Sequence, residues 1–472
     1  MGVTTGTAAN SGATSAATKR ATYLKHLLTQ AAAAADESGL GLKGLRDRAI
    51  TQVNERSFPH GRDEAWRFTD LSGMLDLPFQ RASAADQSTR SEDGTEATSA
   101  GERQARLALN NIDLVEGGYR LATLNGHYAS ELSVSGRAAS APRLPDGALI
   151  SSLSALIAHP EYGDRVGDTI ASKLAQVQGS GEVFTALNTA GFSDVMVIWI
   201  RADQVIEAPI HISRGSQGDR ISHLRTLVIA ERHAKCTIVE SFWGDDEQAR
   251  CNNSVTEILL EDDAQVDHIR LQDEGAQTFH IGKTAVSQSQ NSRYQCTSLD
   301  LGAQLSRHHH EIYQRGPQSE THLHGLSALR NRQLADTHSL IALTHPHSRA
   351  TQLQKNVVDD QAHSVFNGRV HVSQSAQFTD AAQLNRNLML SSKARVDTKP
   401  ELDIVADNVK CAHGATVSQL QADELFYLQS RGIAAAQAQR LLLYGFAMEI
   451  VEKISIAALR QKLSDRLTQW TH

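Results

Sequence analysis

Apolar positions change their period along the chain. From residue 17 to 56 they recur three or four residues apart, as on one face of a helix: Leu24, Leu27 and Leu28, then Leu40, Leu42 and Leu45, then Ile50 and Val53. Ala31–Ala35 adds strong helix propensity, and Pro59 with Gly61 ends the pattern. Residues 82–104 contain no Leu, Ile, Val, Met or aromatic side chain. Such a stretch cannot bury enough apolar surface to offset its ordering entropy, so it reads as a flexible insertion. Helical spacing returns between 150 and 178, with Leu153, Leu156, Ile157, Val166, Ile170, Leu174 and Val177. Together these make an N-terminal helical domain, 19–178, behind a disordered tail at 1–18.

Near Phe184 the pattern shortens, and up to about Thr416 it reads as short strands. Val195–Ile200, Pro209–Ile212, Leu227–Ile229, Cys236–Val239, Glu257–Leu260, Val266–Ile269, Ser339–Leu343 and Arg369–Val372 are rich in β-branched or aliphatic residues and separated by polar turns. A sandwich, a barrel and a parallel β-helix all fit short strands. The stretch is long for one sandwich, whereas a solenoid grows freely because each coil touches only its neighbours. The spacing leans to a β-helix over 179–420, although no strict repeat is visible. Residues 421–472 revert to helix. Asp423 is placed to cap Glu424–Arg431 and Gly432 to stop it. Ala434–Phe446 and Ile456–Trp470 follow, the last with Leu459, Leu463, Leu467 and Trp470 as an apolar stripe.

Composition narrows the function. The 472 residues exceed what one core usually holds. A net charge of −7 argues against nucleic acid as the main partner. Cys236, Cys251, Cys296 and Cys411 form no C-x-x-C pair, which points to free thiols in a reducing compartment. No apolar run reaches the length of a membrane span, and the N-terminus lacks the apolar core of a secretory signal. The cytoplasm is the expected location, with a plastid as the alternative.

Histidine is the conspicuous chemical residue. Ten fall between His308 and His371, and His308/His310, His322/His324 and His345/His347 each place two imidazoles on one face if extended. Such pairs suit a transition metal or are simply exposed polar side chains. Cys411 and His413 are the sharper pair, a thiol and an imidazole at i and i+2. Phosphate-loop, dinucleotide, zinc-protease and nucleophile-elbow patterns are missing. Asp262–Asp263 and Asp359–Asp360 are carboxylate pairs of the kind a β-helix carbohydrate-active enzyme would use, but they fall in turn-like sequence.

A series of motifs sharpens the picture. Ser364–Val370, Ala376–Leu388, Lys399–Ile404, Ala406-Asp407, Lys410–Val417 and Phe426–Ile433 occur in that order. Upstream stand Glu64-Ala65-Trp66-Arg67-Phe68-Thr69-Asp70-Leu71, Phe184–Asn188 and Pro209-Ile210. The series resembles the SufB/SufD family of iron–sulfur cluster assembly proteins, and Cys-x-His-Gly-Ala-Thr-Val looks like its SufD branch. The resemblance implies a mainly β chain, a right-handed parallel β-helix core flanked by N-terminal and C-terminal α-helical domains. It implies a non-catalytic scaffold that pairs with SufB through the β-helix, supports iron supply, and meets the SufC ATPase through its C-terminal helices. It implies that His413, beside Cys411, is a metal ligand or proton-handling group facing a SufB cysteine. Iron or a cluster would be held there only transiently. Phe426, Tyr427 and Arg431 would lie on the helix presented to SufC. A SufB-type cluster scaffold is the nearer alternative, and exposed β-helix edges also admit a homodimer.

Overall fold

The structure is a computed structural model that describes residues 8–37, 39–82, 118–135, 147–160, 163–177, 179, 181–244 and 248–470. The insertion read at 82–104 lies outside the described residues apart from Ala82, as does 1–7 of the expected tail. The helices are α1 (Ala8–Glu37), α2 (Lys43–Asn54), α3 (Leu153–Ala158), α4 (Gly163–Lys173), α5 (Val183–Gly191), α6 (Ala422–Ser430), α7 (Ala435–Val451) and α8 (Ala457–Trp470). The strands are β1 (Gln80–Arg81), β2 (Tyr119–Leu124), β3 (His127–Tyr128), β4 (Val134–Ser135), β5 (Ala148–Ser152), β6 (Met196–Ile200), β7 (Val205–Ser216), β8 (Arg220–Ala230), β9 (Lys235–Gly244), β10 (Arg250–Leu260), β11 (Gln265–Asp273), β12 (Thr278–Gln288), β13 (Arg293–Asp300), β14 (Leu305–Gln314), β15 (Glu320–Leu329), β16 (Leu334–Leu343), β17 (Arg349–Val358), β18 (His363–Val372), β19 (Asp380–Met389), β20 (Arg395–Ile404) and β21 (Lys410–Ser418).

From β6 onward the chain alternates between two parallel sheets. Even-numbered strands build one and odd-numbered strands the other, giving eight stacked coils of a parallel β-solenoid. Coil length varies, which hides the repeat in the sequence. Register partners Ile221 and Cys251 are 30 residues apart, Phe279 and Leu305 are 26, and His363 and Arg395 are 32. At the corners between even and odd strands, Asp203, His233, Asp263, Asn291, Gln318, His347 and Phe378 all take left-handed φ near +60°. That conformation aims each corner amide at a carbonyl of the next coil, as in His233 N–H to Asp262 O and Asp263 N–H to Gln290 O.

Inside the coils runs an apolar core that includes Ile198, Ile212, Val228, Ile238, Ile258, Val286, Ile312 and Val370. Helices cover both outer faces. Leu24, Leu27 and Leu28 of α1, Val53 of α2 and Phe184 of α5 pack on Ile221, Phe279 and Ile281. Leu459, Leu463 and Leu467 of α8 pack with Ile450 and Val451 of α7 on Val239, Ile269, Leu299 and Leu326 of the odd sheet.

Several expectations need correction. Residues 8–18, read as tail, belong to α1. The 19–178 region is not purely helical, because β2 joins the odd sheet beside β7 and β5 joins the even sheet beside β6. Phe184–Asn188 lies on α5 rather than opening the β region. Asp423 sits in the first turn of α6, whose N-cap is Gln421 and makes no side-chain cap bond. Gly432 stops that helix as expected, with φ +86°.

Candidate functional site at the open end of the solenoid

The eighth coil has no successor. β20 and β21 close their sheets, each bonded to a neighbour on one side only. Every residue of β21 is exposed or half-buried. Exposed apolar side chains gather on these last coils: Phe378, Leu384, Ile404, Val405 and Val417. Pro400 sits within β20, which an edge strand tolerates because one row of amides is unpaired in any case.

Cys411 and His413 both lie on β21, on the face that continues the solenoid interior. Cys411 is in register with buried Ala381 and packs on the apolar core. His413 is in register with Gln383, which is buried and donates from Nε2 to Gln352 Oε1 at 2.9 Å. Gln383 Oε1 has no hydrogen-bond partner. His413 itself is exposed, because no further coil covers it. The i, i+2 reading of this pair therefore matches the geometry. Partial burial raises the Cys411 pKa, and Asp380 adds to the rise, so the thiol form is favoured in the chain alone.

The histidine pairs separate. His308 and His310 face inward on β14 with ring centroids 4.5 Å apart, and His308 Nε2 meets Thr284 Oγ1 at 2.9 Å. Burial pushes His308 well below the usual imidazole range and His310 down to about 3, so both are neutral. His322 and His324 stack on β15, with centroids 6.4 Å apart. His345 and His347 do not share a strand face; they flank Pro346 in the turn before β17. Among the described residues, no group of three or more His, Cys, Asp or Glu side chains is arranged to hold a metal ion. Asp263 Oδ1 accepts from Asn291 Nδ2, and Asp360 Oδ2 accepts from the Asn331 amide at 2.9 Å, so these aspartates of the carboxylate pairs serve turns.

Sequence reasoning missed a polar layer inside the solenoid. Glu240 accepts from Thr226 Oγ1 at 2.9 Å and Thr256 Oγ1 at 2.8 Å, and stands 3.7 Å from Arg214 and 3.6 Å from His268 Nε2. His268 Nδ1 meets the Tyr294 hydroxyl at 3.0 Å with Cys296 Sγ at 4.0 Å. Arg270 pairs with Asp300 at 2.9 Å. Residues spaced along separate short strands carry no local signal that they will stack in one interior.

The C-terminal helices present a second surface. α6 buries none of its residues, and Phe426 and Tyr427 stand exposed. The Arg431 guanidinium lies over the Tyr427 ring, 5.4 Å from its centroid.

A family model described as "SUF system FeS cluster assembly, SufBD core domain" matches residues 211–446. An iron–sulfur cluster assembly SufBD family protein of Synechocystis is 40% identical over 452 residues, 93% of each chain. The chain belongs to the SufBD family. A chloroplastic protein of Arabidopsis thaliana, ABCI7, is 32% identical over 93% of this chain and 88% of its own. Escherichia coli SufD is 27% identical over 89% of this chain and 91% of its own. The family-like motifs acquire physical roles here. Trp66 lies between Arg307, 4.0 Å above its ring, and the Phe184 ring at 5.6 Å. Thr69 Oγ1 donates to Asp336, which also pairs with Arg307, while Glu64 reaches Lys399 on β20 at 2.8 Å. The segment is a strap across the even sheet. Asn188 donates to the carbonyls of Leu224 and Asn253, at 2.9 and 2.8 Å, and accepts from Arg225 at 3.0 Å, which fixes α5 to the coils. In this SufBD family chain no helix of the described residues is long and apolar enough to cross a membrane.

Proposed function

We propose that this chain is a SufD-type subunit of a SUF assembly complex, with no turnover of its own. The observation that carries the reading is the placing of Cys411 and His413 on the inner face of the last strand, where both sheets stop with free edges. A thiol and an imidazole at an uncovered end are half of a site. A second solenoid end, from a SufB-type partner, would supply the other half, exclude water and cover the exposed apolar side chains. Imidazole nitrogen and thiolate sulfur are both ligands for iron, which here is cargo held transiently between two chains. Gln383 Oε1, one register step inside, is available to orient the His413 ring. On the same reading, α6 with Phe426, Tyr427 and Arg431 docks the SufC ATPase, whose cycle would open and close the joint. The complex would work in the cytoplasm or, as the name of the Arabidopsis relative suggests, a plastid.

The test is co-expression with SufB- and SufC-type subunits. His413→Ala should leave the complex intact and slow cluster maturation severalfold. Normal maturation by that variant would sink the site assignment, and failure of the three chains to co-purify would sink the partner reading. A SufB-type scaffold is the second reading, favoured by the thiol of Cys411 on the same face as His413. A stable, visible-absorbing cluster reconstituted on the isolated chain would select it.

A further inference from the structure

One corner of the solenoid repeats a single conformation and breaks it chemically once. The first six left-handed corner residues are Asp203, His233, Asp263, Asn291, Gln318 and His347. Asp, Asn and His tolerate this region best among side chains with a Cβ. Neighbours in this row contact each other: His233 Nδ1 meets Asp203 Oδ1 at 2.7 Å, and its Nε2 lies 3.4 Å from Asp263 Oδ2. The seventh corner holds Phe378, at φ +59°. A bulky aromatic side chain there is an outlier, and outliers maintained against strain concentrate at functional positions.

The ring gains little from its own chain. It stacks face to face on His347, with centroids 5.1 Å apart and planes 9° from parallel, yet the residue is 62% exposed. At the eighth corner Val409 turns inward and packs on the interior core. The row of outward corner side chains therefore ends at Phe378, on the side of the open end.

We propose that Phe378 is the aromatic anchor of the joint at the open end, its free face stacking against a planar side chain, a ring or a guanidinium, from the partner solenoid. The inference rests on the paired-solenoid reading above and adds the residue that sets its register. A rigid ring with few rotamers, already held on one face, loses little entropy on burial, and aromatic side chains are enriched in interface cores. Stacking also fixes the rotation of one solenoid on the other, which free β-edges alone leave open to slippage.

The experiment compares Phe378→Asn, Phe378→Tyr and Val417→Asp in the full chain, each titrated against the SufB-type subunit by sedimentation velocity. Asn suits the left-handed corner better than Phe, so the midpoint of thermal unfolding of the chain alone should stay or rise. Association should nonetheless weaken tenfold or more in Phe378→Asn and persist in Phe378→Tyr. Unchanged association of Phe378→Asn overturns the anchor, while disruption by Val417→Asp in the same series leaves the open-end joint standing. Association unaffected by both changes overturns the joint as well.

Discussion

Replacing Glu240 by Gln tests whether the solenoid interior is held by charge. Glu240, Arg214 and His268 are all nearly inaccessible to water. Removing one partner of such a group strands the others, which costs about 3–5 kcal/mol. The pH dependence gives a second handle. Burial disfavours the imidazolium of His268, but Cys296 and Glu240 outweigh it and push its pKa up to about 10 from 6.5. That contribution is complete below pH 6.5 and is lost as pH rises towards 10. Burial opposes the carboxylate of Glu240, but His268 and Arg214 hold its pKa down to about 2 from 4.5, a contribution complete above pH 4.5 and lost as pH falls towards 2. Both are intact between pH 4.5 and 6.5. The full His268 shift, at 1.36 kcal/mol per pH unit, sets a ceiling on the order of 5 kcal/mol, of which Glu240 supplies part. Urea unfolding followed by circular dichroism at pH 6, 7.5 and 9 reads the difference. Glu240→Gln should lose about 3–5 kcal/mol at pH 6 and progressively less by pH 9. A loss below about 1 kcal/mol at pH 6, or one that does not change with pH, would refute the assignment.

Three further outcomes are expected. Trp66→Ala should destabilise the chain by about 3–5 kcal/mol, since it empties a buried site and removes the ring beneath Arg307; urea midpoints check it. Gly368→Ala should cost about 1–3 kcal/mol in the same assay, because an added Cβ would lie 2.3 Å from Gln383 Nε2 and 2.7 Å from the Phe366 ring. Phe426→Ser with Tyr427→Ser should abolish SufC-type pull-down while leaving the thermal unfolding midpoint within a few degrees, because neither side chain is buried in the chain.

Much of the architecture was legible in the sequence, and the misreadings have physical causes. The apolar segments expected as strands fall in β6–β11, β16 and β18, except Val195, which lies one residue before β6. The strands are longer than their apolar stretches because the interior also accepts Glu240, His268, Arg270 and His308, which look like surface residues in isolation. Phe184–Asn188 is aliphatic enough to read as strand, yet Glu182 caps it into a helix through the Thr185 amide, at 3.1 Å. His345 and His347 have strand-like spacing, and Pro346 between them makes the turn. For the candidate site, the alternation of a strand placed Cys411 and His413 together correctly. What alternation could not show was that their strand would be the last, with its inner face left open.

The strap has a mechanical consequence. A stack of coils joined only through nearest neighbours frays from its ends, and the terminal coil opens most easily. Here the segment from Glu64 to Thr69 grips β14 at Arg307, β16 at Asp336 and β20 at Lys399. It works as a tie-rod, anchored beneath the N-terminal helices and fastened to the coil that carries the free edges. Its last fastening, the Glu64–Lys399 pair, is open to solvent, so salt should loosen the tie to the terminal coil before it loosens the buried ties at Arg307 and Asp336.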